Sequence, residues 1–109
     1  MSLTFERLRE ANVLRQNEWP GTKARSPVLF RAVELGGEVG EALNIVKKLE
    51  REALGYAGSR ATVDDLADEL ADVVICVELL AERYGVDMGE ATIRKFNVTS
   101  ERMGLETRL

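Results

Sequence analysis

Residues 62–85 read TVDDLADELADVVICVELLAERYG, and the fold turns on whether Val73 to Val77 form a strand or the middle of a helix. The run itself favours neither, being short, apolar and rich in β-branched residues. Its flanks decide. Leu66, Leu70, Val73, Val77 and Leu80 keep helical spacing through the run, with Val74 and Cys76 widening the face. Thr62 opens a capping box with Asp65, and Gly85 follows Tyr84 as a stop. The stretch is therefore predicted as a helix to Tyr84. Its first half, DDLADELAD, carries five carboxylates in nine residues. A solvated charge run does not normally lead into so apolar a segment. Glu69 and Asp72, three apart and beside the apolar stripe, thus need a reason to be there.

Upstream, Ser26-Pro27 reads as a helix start, serine as N-cap and proline at the first helical position. The helix runs from Val28 to about Leu54, with Leu29, Val33, Leu35, Val39, Leu43, Val46 and Leu49 at helical spacing. Gly36, Gly37 and Gly40 interrupt it. Since each costs a helix about 1 kcal/mol relative to alanine, they imply close approach of another backbone or room for a bound object. A first helix spans about Thr4 to Asn17, with Phe5 and Leu8 on a weak apolar face, before WPGTKARSP breaks it. Downstream, GYAGSRA is a loop, and a second capping box from Asp87 to Glu90 opens a last helix reaching Gly104. The expectation is an all-α, four-helix-bundle-like subunit, a single domain over residues 1–109. A chain this short with long apolar stripes gains from a partner subunit, so self-association is expected.

The net charge is −4, and the chain has no histidine. Imidazole bases, histidine triads and histidine zinc sites are excluded. The single cysteine, Cys76, rules out an internal disulfide and reads as a small core residue. An acidic chain without a basic stripe is not expected to bind a nucleic-acid polymer. No leader-like N-terminus and no run of about 18 apolar residues are found, so no membrane partner and a cytoplasmic location are expected.

In ELGGEVGEAL, Glu38 and Glu41 repeat the spacing of Glu69 and Asp72, with Glu34 one turn earlier. Antiparallel packing of the second and third helices brings the two pairs face to face. Four converging carboxylates repel unless a cation lies among them. Oxygen donors without thiolate or imidazole select Mg²⁺, with Mn²⁺ as a substitute. Each pair taken singly is what a solvated helix face carries; two pairs bordering apolar stripes weigh against that reading.

GGEVGEAL and DELADVVICVELLAERYGVDMGEATIRKFN resemble the MazG-like branch of the all-α nucleoside triphosphate pyrophosphohydrolases, whose signature is EExxE, a spacer, then ExxD. The resemblance spans residues 28–104. It implies Mg²⁺ held by Glu38, Glu41, Glu69 and Asp72. It also implies hydrolysis of (d)NTP between the α and β phosphates to (d)NMP and pyrophosphate, a nucleotide-pool housekeeping role, and assembly as dimer or tetramer. The first glutamate of EExxE is Gly37 here, so Glu34, one turn back, is the candidate to replace it beside Glu38 and Glu41 in catalysis. Arg94, Lys95 and Asn97 stand where the family's Lys and Asn contact triphosphate oxygens; as surface charges of a terminal helix they need no ligand. Trp19 serves either to stack on a base or to anchor the first helix. Lys48, on the face of Glu41 and Asn44, is a further phosphate candidate. The departure at Gly37 leaves an alternative: a catalytically weak nucleotide- or metal-binding helical interaction protein.

Overall fold

In the computed structural model, which describes residues 2–21 and 25–109, four helices and no strand are found among those residues: α1 (Phe5–Glu18), α2 (Val28–Ala53), α3 (Val63–Arg83) and α4 (Met88–Arg102). The middle of the predicted break, residues 22–24, lies outside them.

Local chemistry explains the boundaries. Thr4 caps α1 by accepting from Arg7 N at 3.1 Å. The Thr62 box is complete: Thr62 Oγ1 accepts from Asp65 N at 3.1 Å, and Asp65 Oδ2 accepts from Thr62 N at 2.8 Å. At α4 one half of the expected box forms, Asp87 Oδ1 accepting from Glu90 N at 3.0 Å. The start of α2 differs from expectation. Pro27 is the N-cap, with no side-chain cap bond, and the helix begins at Val28. The Ser26 carbonyl is instead taken by the Arg83 guanidinium, which ties the start of α2 to the end of α3. Helices α2, α3 and α4 all stop alike. In α3, Gly85 N reaches Glu82 O at 3.1 Å and Val86 N reaches Ala81 O at 3.0 Å, with Gly85 at φ 64°, a left-handed position suited to glycine.

Helices α2 and α3 form the main packed pair. Ser26 meets Arg83 at one end, and Lys48 acts on Asp65 at the other, so the two run antiparallel. The predicted Val73–Val77 run is helical throughout. α1 lies against α3, held by an Arg9–Glu78 ion pair and by Asn12 Nδ2 donating to Ile75 O at 3.4 Å. α4 makes only slight contact with the others. The interior is thin: among the described residues the buried apolar ones are Ala42, Ala61, Cys76 and Ala81, while the largest fully buried side chain is Glu78. A compact chain of this length has a radius of gyration of roughly 13 Å, against 17.3 Å here. No helix among the described residues is long and apolar enough to cross a membrane.

Candidate metal centre

Glu38 and Glu41 stand one turn apart on α2, and Glu69 faces them from α3. One carboxylate oxygen from each lies within 4.8 Å of the others. Glu38 and Glu69 are half-buried and Glu41 is exposed. Glu38 Oε2 and Glu69 Oε2 are shut off from solvent without a hydrogen-bond partner. A buried carboxylate oxygen without a donor is costly, and a cation removes the cost.

The electrostatics agree. Burial, then the charges of Glu41 and Asp72, pushes the Glu38 carboxyl above its ordinary 4.5. Burial, then hydrogen bonding to Glu41 and its charge, raises Glu69 as well. Both shifts mark a site short of positive charge. The donor set is all oxygen, the chemistry of Mg²⁺ and Mn²⁺.

Asp72 lies outside this trio. It is exposed and borders an adjacent cavity of about 290 Å³ with Glu34 and Glu38. Trp19, Phe30, Arg31 and Asn12 line the same cavity, so Trp19 stands near the carboxylates although it is 60% exposed. Glu34 is engaged: Arg31 Nη1 donates to its Oε1 at 3.0 Å, while Arg31 Nη2 donates to Gln16 Oε1 at 3.0 Å. Cys76 is buried beside the cavity, and burial, then the Glu34 and Glu38 charges, push its thiol up to about 11. It is an inert core thiol.

The remaining predicted contacts are not brought here within one chain. Lys48 is half-buried and its charge acts on Asp65, toward the start of α3. Arg94 and Lys95 are exposed on α4. The Asn97 amide holds the backbone of Leu109, Nδ2 donating to its carbonyl at 3.2 Å and Oδ1 accepting from its N–H at 2.8 Å. The expected role of the α2 glycines also changes. Among the described residues, a Cβ placed at Gly36, Gly37 or Gly40 would meet nothing within 4 Å, so these glycines do not bring α2 and α3 together.

Sequence reasoning missed Arg31, Asn12 and Phe30. Arg31 had a signal, since it precedes Glu34 by three residues on the carboxylate face of α2. Asn12 and Phe30 had none, because their place depends on where α1 crosses α3.

No family model, curated protein or solved structure with which the chain was compared gives a match.

Proposed function

We propose that this chain is a divalent-cation-binding helical protein that holds its ion between α2 and α3 and admits a phosphorylated small molecule to the adjoining cavity. The observation that carries the reading is the convergence of Glu38, Glu41 and Glu69 within 4.8 Å, with orphaned oxygens on two of them. Mg²⁺ suits the donors, Mn²⁺ replaces it, and Asp72 borders the site as a fourth carboxylate. The cavity is at the small end of ligand sites. Its mixed lining of Trp19, Phe30 and the buried Arg31 suits a planar ring carrying an anionic group.

The finer reading is a nucleoside triphosphate pyrophosphohydrolase releasing (d)NMP and pyrophosphate, with housekeeping of the nucleotide pool in the cytoplasm as its setting. It rests on the two motif pairs and their resemblance to the MazG-like enzymes. Bound Mg²⁺ would supply polarisation of a phosphoryl oxygen and a more acidic water. Glu38, Glu41 and Glu69 would position the ion. Glu34, whose Oε1 faces Arg31, would accept a proton through its other oxygen, and Arg31 would offset charge on the ligand. Lys48, Arg94, Lys95 and Asn97 keep only the support of the resemblance. Self-association to a dimer or tetramer belongs to the same reading.

Calorimetric titration of the metal-free protein with Mg²⁺ and Mn²⁺ tests the first statement. Product separation after incubation with each nucleotide tests the second. Cation binding without turnover of any nucleotide would leave a binding protein and remove the hydrolase. Absence of binding by either ion would remove both.

A further inference from the structure

Arg9, Asn12 and Gln16 follow one another along α1 at steps of 3 and 4 residues and so share one face of the helix, the face that docks it. All three are polar, and so are their bonds. The Arg9 guanidinium donates to Glu78 on α3 and to the Val86 carbonyl beyond it, Asn12 Nδ2 donates to Ile75 O at 3.4 Å, and Gln16 Oε1 accepts from Arg31 Nη2 at 3.0 Å. Apolar docking is slight. Asn12 is the one buried residue of α1 among those described, Leu8 is half-buried, and Val13 and Leu14 are exposed. A seam of this kind fixes where a helix sits without holding it hard, because water replaces each bond when the helix lifts, whereas exposed apolar surface has no such replacement. The buried Arg9–Glu78 pair adds little net stability for the same reason.

Three residues further along that face stands Trp19, and together with Asn12, Arg15 and Gln16 it makes α1 one wall of the cavity. The other walls belong mainly to α2 and α3, the main packed pair. The chain after α1 is fastened separately, by Arg25 to Glu82 and by the Arg83 guanidinium to Ser26 O. At about 290 Å³ the cavity falls just under the usual span of small-molecule sites, roughly 300–1,000 Å³. A larger ligand needs one wall to yield, and α1 is the wall with the least apolar hold.

We propose that α1 is a movable wall: it lifts from α3 as a unit while α2 and α3 stay packed, and the cavity widens and narrows with it. Elements that move on binding are drawn from the least stable part of a fold, and slight apolar burial puts α1 there. The carboxylates of α2 and α3 keep their places in both positions. The device therefore stands whether or not they hold a cation.

Native-state hydrogen exchange of the metal-free protein, followed residue by residue by NMR at rising denaturant, tests this. The amides in the middle of α1 are expected to share one opening, with a denaturant dependence above zero and below that of the α2 and α3 amides. Arg9→Lys keeps a charge for Glu78 but lacks the second donor for the Val86 carbonyl, and is expected to raise the α1 opening constant roughly tenfold. Thr62→Ala, at the far end of α3, is expected to speed exchange in α2 and α3 roughly fivefold and to leave α1 unchanged, because it weakens the packed pair equally whether α1 is docked or lifted. Exchange of α1 with the full denaturant dependence of α2 and α3, or an α1 that responds to Thr62→Ala as they do, would overturn the proposal. So would amides that fray one by one without denaturant dependence, or an α1 indifferent to Arg9→Lys. Should Arg9→Lys fail to fold, Gln16→Ala, which removes the tie to Arg31, is read in its place.

Discussion

The two faces of α2 are composed the wrong way round for an isolated helix. Toward α3 it carries Arg31, Glu34, Glu38 and Glu41 among Ala42, Ile45 and Leu49; toward solvent it carries Leu29, Val33, Leu43 and glycines. Charge on an inner face and apolar surface on an outer one are each unfavourable alone. The difference teaches that packing among the described residues leaves both faces of α2 unsatisfied. One lacks positive charge and the other lacks a covering surface.

The inner face breaks most severely at its support. Glu78 is 1% exposed and depends on Arg9, so Arg9→Met should destabilise the chain by about 3–5 kcal/mol in chemical denaturation, the usual effect of leaving a buried charge unpaired. Arg9→Met with Glu78→Leu should recover much of the loss. At the cation site, Glu69→Gln or Glu38→Gln should weaken Mg²⁺ binding by roughly a hundredfold or more in calorimetry, since even outer-shell changes cost 10- to 100-fold. Glu34→Gln should leave that affinity within about twofold, yet reduce any nucleotide turnover by roughly 10²- to 10⁴-fold if Glu34 takes the proton. Full turnover would show Glu34 to be only a partner for Arg31.

A gentler probe is pH. Folded Glu38 and Glu69 hold protons that the unfolded chain releases near 4.5. The folded state thus binds more protons above that value, and the metal-free melting temperature should fall as pH rises from 4.5 through the elevated folded values. Mg²⁺, or Glu38→Gln, should flatten this decline. Asp65 acts in the opposite sense: bonds to Thr62 hold it below 3.8, so its contribution is complete above that value and fades as pH falls further. The outer face and its neighbours respond least to changes in capping. Thr62→Ala should cost about 1 kcal/mol in chemical denaturation.

Local signals were read well because they are local. The Thr62 box, the stop at Gly85 and the helical period through Val73–Val77 depend on residues within a turn or two of each other, and all are found. The meeting of Glu38 and Glu41 with Glu69 followed from one further assumption, an antiparallel pair. Ser26 was misread as a cap because its carbonyl serves Arg83, distant in sequence. The glycines showed that one face of α2 is small, but spacing does not show which side of the helix that face occupies, and it does not meet α3. The cavity combines α1, α2 and α3, and Arg31 enters it through bonds to Glu34 and Gln16 that no single stretch discloses.

Cys76 gives the chain a native clock. Its thiol is enclosed where the inner faces meet and is held to about 11, so an alkylating reagent near neutral pH finds almost no thiolate while the helices remain together. Labelling is then slow in the folded chain and fast once the helices part, so its rate rises with the population of opened molecules. Any agent that tightens the grip of α2 on α3 should slow the alkylation of this one sulfur. The protein thereby reports its own breathing to a mass spectrometer without an added probe.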